Sequence, residues 1–369
     1  MTARPAMIFH VPFRLNPDAV SASGIRPVRL RRAFEEIGYD VHEVSGTHAE
    51  RRDRMRELRT AIRDGRRFDF VYSEAATTPT GLGEPVTPAT SLTRDIAFLR
   101  ACRRAGIPVG LFYRDIYWQF EEYAKRVGQP YASVLRWRYR ADLRGYRSAV
   151  DRIYLPSMRM AEYLPIANRP QAASLPPASE AIDSVAPAAG LGLFYVGGTN
   201  DYYRMEQTVR GVEASAEATL TICTRETEWG ANKHRYSDVL GPRTRVVHRS
   251  GAELEPLYAD AHIGSLLMEP IEYREFAAPL KLYEYLGHGK PIVATAGTLA
   301  GDFVEENGIG WAIPYTADAL TALLDELSAS PDALRAATAR AQEVRHQHTW
   351  AARARTVAAD LAGVEAPVS

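Results

Sequence analysis

Short apolar runs, each broken by a polar loop and followed by an amphipathic helical pattern, recur along the chain and limit what it can fold into. Residues 7–11 form the first run, the loop 12–26 follows, and a helix over 27–37 carries Val28, Leu30, Phe34 and Ile37 as its buried stripe. Residues 39–44 are the next run. Strand, loop, helix and strand in that order predict parallel strands with ligand sites at their carboxyl ends. Runs at 68–73, 107–113 and 152–155 continue the series. It restarts at 193–196, just before Gly197 and Gly198, with a helix around 203–216 and strands at 219–223, 245–248 and 263–268. A strand at 311–313 and helices over 317–328 and 331–346 close it. For 369 residues this means two α/β domains of ordinary size. They are read as 1–170 and 191–345, joined by a proline- and alanine-rich linker over 171–190 and followed by a tail over 346–369.

The hydrophobic share of 46% and charged share of 24% are those of a globular protein. No run of about 18 apolar residues exists and the start lacks a basic-then-apolar leader pattern, so a cytoplasmic protein is expected. Cys102 and Cys223 are too few for a disulfide framework or a zinc site, and reduced buried thiols are expected. Net charge is zero but unevenly placed: residues 1–150 hold 26 Lys and Arg against 17 Asp and Glu. An excess of nine positive charges there suggests that the first half meets something anionic: lipid, a lipid-diphosphate acceptor or an acidic partner domain. Nucleic acid is not expected, because no recognised binding motif accompanies the charge. The arginine-rich stretch 49–67, with Met55, Leu58 and Ile62 at helical spacing, reads as a solvated helix face, with membrane contact as the alternative. Residues 134–150 alternate arginine with Trp137, Tyr139 and Tyr146. Such a helix either lies on an anionic membrane surface, as a peripheral contact, or is a domain helix covered by long arginines.

The sharpest chemistry lies at 277–295, a helix followed by the apolar run Ile292-Val293-Ala294. Pro279 suits the first helical position, and Gly287 and Gly289 stop the helix. At 100° per residue Leu282, Tyr285 and Leu286 share one face, and Lys281, Glu284 and His288 another. A helix start offers free N–H groups and positive dipole to a diphosphate; Lys281 would add a full charge, and Glu284 could accept hydrogen bonds from a ribose diol. An exposed Lys–Glu pair is the plain alternative. Three further strand ends attract attention. Gly24 and Arg26 sit in a turn, Ser23-Gly24-Ile25-Arg26, where backbone and guanidinium would face a ligand, or which is a plain turn before a helix. Arg114-Asp115-Ile116-Tyr117-Trp118 follows the 107–113 strand and combines an ion pair with rings that stack on sugars, or else an ion pair with core aromatics. Arg225 follows the 219–223 strand and Arg204 the Gly197-Gly198 turn, two basic candidates at strand ends. No Asp-x-Asp pair, Walker loop, G-x-S-x-G or strand-linked G-x-G-x-x-G occurs, which lowers hydrolase, ATPase and dinucleotide-oxidoreductase readings.

Lys281-Leu282-Tyr283-Glu284-Tyr285-Leu286, with Gly287, Gly289, Lys290, Pro291 and Val293, resembles the donor-binding helix of GT-B glycosyltransferases of the retaining family 4 type. The resemblance implies two Rossmann-like doubly wound domains facing a cleft, with a C-terminal helix around Trp350 crossing back to the first domain. It implies a nucleotide-sugar donor, for which Gly24, Gly198, Arg225, Lys281, Leu282 and Glu284 are the candidate ligands; Arg114, Asp115 and Lys281 are the candidate catalytic residues, and Arg26, Tyr117 and Trp118 the candidate acceptor contacts. The acceptor would be a glycan, a lipid-linked sugar or a small molecule, and no metal or other cofactor is expected. The chain departs from the family in two places. The first acid of its E-x7-E pattern falls on Phe276, with Glu275, Glu272 and Glu269 upstream, and Arg114-Asp115 replaces a histidine-centred motif. A nucleotide-sugar 2-epimerase and a non-catalytic scaffold of the same fold remain alternatives.

Overall fold

The first apolar run becomes β1 (Ala6–His10), which pairs in parallel with strands that follow it on both sides. Chain order is β1, α1 (Ala22–Glu36), β2 (Asp40–Val44), α2 (His48–Arg63), β3 (Phe70–Glu74), α3 (Arg94–Arg104), β4 (Val109–Phe112), α4 (Glu121–Val127), α5 (Tyr131–Tyr146), β5 (Arg152–Leu155) and β6 (Gln171–Ser174). The sheet runs β2-β1-β3-β4-β5-β6, all parallel. Every residue of β3 and β4 is buried, as expected where helices cover both faces. Right-handed crossovers put α1 on one face and α2, α3 and α5, which pack side by side, on the other. This is a computed structural model, describing residues 4–19, 21–82, 93–164, 171–188, 190–272, 276 and 278–363. Among them no helix is long and apolar enough to cross a membrane.

A second six-stranded sheet is built by β7 (Leu191–Val196), α6 (Glu206–Ala214), β8 (Ala218–Cys223), α7 (Glu226–Asn232), β9 (Thr244–Val247), α8 (Glu255–Asp260), β10 (Ile263–Leu266), α9 (Leu280–Gly287), β11 (Ile292–Thr295), α10 (Leu299–Asn307), β12 (Gly310–Ile313), α11 (Ala317–Ala329) and α12 (Asp332–Val344). Its order is β12-β11-β10-β7-β8-β9, again all parallel. The winding direction reverses between β7 and β10, and in open α/β sheets that is where ligands bind, outside the strands' carboxyl ends. The last helix, α13 (Trp350–Ala362), packs on α1, β3 and β4. One unit is therefore Met1–Pro176 with Trp350–Ser369, and the other Pro177–Thr349.

Three boundaries differ from the sequence reading. Residues 171–174, read as linker, are β6 and extend the first sheet, so the chain leaves that unit at Pro176. Residues 346–348 stay with the second unit as a single 3₁₀ turn, and only from Trp350 does the chain rejoin the first. The turn expected at Ser23-Gly24-Ile25-Arg26 is the start of α1, with Pro27 inside the helix. Proline has no N–H to give to the carbonyl four residues back. That carbonyl, Ser23 O, instead accepts from the Arg114 guanidinium, which lets the helix run through the proline.

Candidate functional site

The carboxyl end of β7 is where the second unit's polar groups converge. Gly197 has φ 146, and a Cβ there would lie 2.5 Å from Lys281 Nζ, so only glycine lets the turn pass under the ammonium. Lys281 donates to the Tyr195 hydroxyl at 3.0 Å and stands 4.2 and 4.4 Å from the ring centroids of Tyr195 and Tyr203. Both faces hold a cation by ring quadrupole. The Tyr195 hydroxyl in turn donates to Gly198 O at 2.5 Å, and Glu228 accepts from Thr199 N–H and the Asn200 amide at 2.9 and 3.0 Å. Turn, lysine and the first turn of α7 are thus one hydrogen-bonded assembly. Arg225, the N-cap of α7 at the end of β8, is exposed; its carbonyl accepts from Trp229 N–H at 2.8 Å, and its guanidinium makes no hydrogen bond or ion pair among the described residues.

Helix α9 starts one residue later than expected, with Pro279 as its extended N-cap, and its first turn contains no acidic residue to offset the dipole. Leu282 is 2% exposed, and its N–H returns to Pro279 O at 3.2 Å. Its side chain is core, so any contact it makes with a ligand is through backbone. Glu284 lies one turn beyond Lys281; burial pushes its carboxyl up, while the Lys281 ammonium pulls the other way. The Tyr258 hydroxyl donates to its Oε2 at 3.4 Å. Tyr258 is stacked flat on His288, ring centroids 4.0 Å apart, and burial, with Lys290 and Arg345, drives His288 down to about 4. The face that joined Lys281, Glu284 and His288 in the sequence therefore exists, but His288 is its buried back wall.

Arg204, the other basic candidate, is about half exposed and paired with Glu206 at 3.1 Å and Glu269 at 2.9 Å. Phe276 is 1% exposed, and Glu275 and Ala277 lie outside the described residues.

In the first unit the structure corrects four expectations. Arg114 does not pair with Asp115; it donates to Glu74 at 3.0 Å and Ala75 O at 3.1 Å as well as to Ser23 O, and burial lowers its guanidinium. Arg26 is 4% exposed, 3.4 Å from the same fully buried Glu74, and 3.6 Å over the Phe112 ring. Both arginines are internal supports around one carboxylate, not groups open to an acceptor. Trp118 is 1% exposed, stacked on Tyr139 and donating to the Tyr113 hydroxyl at 3.1 Å, so it is core. Gly24 makes room for Ala19, whose Cβ would lie 2.5 Å from an added Cβ, rather than for a ligand. Asp115 and Tyr117 stay at the β4 end, partly buried. Asp115 Oδ1 accepts from Ile116 and Tyr117 N–H at 2.7 and 2.9 Å, and Tyr117 donates to Thr77 O at 3.0 Å.

Sequence reasoning missed Tyr195, Tyr203, Tyr258 and Glu228, which hold the site together. Tyr195 alone carried a signal, being the penultimate residue of a strand that ends in a glycine pair.

Residues 204–359 match the family model described as Glycosyl transferase-like. No curated protein matches. Among solved structures the chain is similar to a sucrose-phosphate synthase from Thermosynechococcus elongatus, at 14% identity over 96% of this chain and 97% of that one, TM-score 0.61. It is similar to Anabaena HepE in complex with UDP and glucose, at 10% identity over 98% and 100%, TM-score 0.62. It also resembles WaaG, a glycosyltransferase involved in lipopolysaccharide biosynthesis, at 12% identity over 97% and 100%, TM-score 0.56. At such identities the likeness is one of fold: two Rossmann-like units of the GT-B type.

Proposed function

We propose that this chain of GT-B fold, with a glycosyl transferase-like domain over 204–359, moves a hexosyl group from a nucleoside diphosphate to an acceptor, with retention at the anomeric carbon. One observation carries the donor reading. An ammonium clamped between two tyrosines stands over a glycine turn at the reversal point of the sheet, one helical turn from a carboxylate with an oxygen left for hydroxyl donors. HepE was solved with UDP and with UDP-glucose, which makes uridine diphosphate sugars the first donors to try.

When the bond from the anomeric carbon to the diphosphate breaks, positive charge grows on the sugar and negative charge on the leaving oxygens. Lys281, Arg225 and the N–H groups at the start of α9 meet that negative charge with fixed dipoles and cations. Lys281 is the catalytic residue of this reading, since its ammonium gains most as the diphosphate departs. Glu284 accepts from the ribose hydroxyls, and Gly198 allows the turn to approach the sugar nucleotide. No metal is needed to supply the same charge. The acceptor is a glycan, a lipid-linked sugar or a small molecule held at the first unit's strand ends, with Asp115 and Tyr117 as its nearest polar contacts.

The test combines thermal shift with turnover on UDP-, GDP- and TDP-sugars. One nucleotide family is expected to raise Tm, by about 2.7 kcal/mol of added stability at a hundredfold excess over Kd, and to release free nucleotide only with acceptor present. A new sugar nucleotide formed without acceptor would mark an epimerase, and a Tm shift without turnover a scaffold. If no nucleoside diphosphate shifts Tm at all, the donor reading is wrong.

A further inference from the structure

The positive excess of the first half is not spread over its surface. Helices α2, α3 and α5, one layer on one face of the first sheet, hold fourteen arginines against five acids, a difference equal to the whole excess of residues 1–150. Between α2 and α3 runs a groove of about 560 Å³ walled by Arg52, Arg56, Arg59 and Arg63 over Met55 and Cys102. At the other side of the layer, α5 buries Leu135, Tyr139, Leu143 and Tyr146 inward. Outward it presents Tyr131, Val134 and Trp137, which are 58%, 54% and 59% exposed. Four large apolar side chains stand this open among the described residues, and these three of them follow one another at every third position of a single helix. Arg140 and Arg144 are exposed on the same outward arc, and the Arg138 guanidinium lies 5.9 Å over the Trp137 ring.

We propose that the α2–α3–α5 face of the first unit docks on an anionic lipid bilayer, with α5 lying flat, Tyr131, Val134 and Trp137 entering at headgroup depth and the flanking arginines meeting lipid phosphates. Three features select a bilayer over other anionic partners. An apolar stripe along one face of a basic helix has water to escape only where an apolar phase lies beside the charge, as in a membrane interface. Trp and Tyr are the side chains that favour that boundary, with an apolar body and a polar edge. The fourteen-to-five charge ratio is spread over three helices rather than gathered at one groove-reading element, which suits a flat anionic surface better than a nucleic acid duplex. The inference is independent of the donor reading, because none of these residues belongs to the second unit.

The full chain would be floated with vesicles of phosphatidylcholine alone or with about a third phosphatidylglycerol, at low salt and at about 0.5 M NaCl, where charge is screened within a few ångströms. Binding is expected only to the anionic vesicles, to fall at least about tenfold in Trp137→Glu, to fall by a similar factor in the double variant Arg140→Glu/Arg144→Glu, and to be lost in high salt. All these side chains point to solvent, so Tm and the Tm shift given by nucleotide are expected unchanged, which separates this outcome from a failure of the donor site. No flotation with anionic vesicles, flotation of Trp137→Glu equal to the unaltered chain, or tighter binding to duplex DNA or poly-glutamate than to vesicles would each overturn the proposal.

Discussion

Lys281 has surrendered its side-chain freedom before any ligand arrives, since two tyrosine rings and the Tyr195 hydroxyl fix its ammonium over the Gly197 turn. A pre-placed charge loses little further entropy on meeting an anion, and a charge-assisted bond is worth about 1.5–3 kcal/mol. Lys281→Met is therefore expected to weaken binding of the preferred nucleoside diphosphate by roughly ten- to a hundredfold, by calorimetry, while leaving its nucleoside unaffected. Lys281→Arg should not restore it, because a planar fork does not fit a slot sized for an ammonium. Glu284 works in the opposite sense. Burial raises its folded pKa above the unfolded value of 4.5, so the folded chain holds that proton more tightly than the unfolded one. Stability then falls as pH rises through the folded pKa, and at neutral pH the ionised carboxylate is a cost to the empty protein. Glu284→Gln is expected to raise Tm at pH 7, with the gain vanishing below about pH 4.5 where both side chains are neutral, and to lose affinity for ribonucleotides but not for 2′-deoxynucleotides. A variant that lowers Tm at pH 7 would show that the carboxylate is a structural support instead.

At the scale of the element, α9 is seated by a glycine in the neighbouring strand. A Cβ on Gly264 would lie 2.3 Å from the Tyr285 ring, and the Tyr285 hydroxyl accepts from Val196 N–H at 3.1 Å, linking α9 to β7. Gly264→Ala should push the helix outward, costing about 1–3 kcal/mol of stability by overpacking and weakening nucleotide binding together, which thermal unfolding with and without nucleotide would detect. The C-cap of α9 carries its own pH signature. His288 drops to about 4 from 6.5, facing Lys290 and Arg345 with Glu255 3.8 Å away, so the unfolded chain binds a proton that the folded one refuses. Stability is full above pH 6.5 and lost as pH falls toward 4, by up to roughly 3 kcal/mol. His288→Phe, which keeps the stack on Tyr258, should flatten Tm over that window. These couplings mark where sequence stopped being informative. The helix, its two faces and the Lys281–Glu284 spacing follow from a 100° step and were legible. The partners that hold them, Tyr195, Tyr203, Tyr258 and Gly264, come from other strands and helices at no fixed spacing, and Trp118 or Arg26 at a strand end looks the same in sequence whether it faces a ligand or the core.

For the whole molecule, the order of the chain and the order of folding units disagree. The first unit is complete only when the last helix returns: α13 packs on α1, β3 and β4, its Trp350, Val357 and Leu361 are buried, and Arg152 donates to Asp360 at 3.2 Å. Gly110 of β4 is small because Leu361 and Tyr154 come within 2.8 Å of where its Cβ would stand. The second unit, by contrast, is one uninterrupted stretch, Pro177–Thr349, with its own core, and it contains Lys281, Glu284 and Arg225. Removing residues 350–369 should therefore strip a buried face from α1, β3 and β4. Each large apolar side chain uncovered forfeits about 1.5–3 kcal/mol, and with Trp350, Val357 and Leu361 gone the loss is comparable to the entire stability of an ordinary domain. Calorimetry of the chain ending at Thr349 is expected to lose the first unit's transition and keep the second's, still shifted upward by nucleotide. The fragment 177–349 alone should show that same transition and the same shift. A single transition that disappears as a whole, with nucleotide binding, would mean that the second unit does not fold or bind on its own.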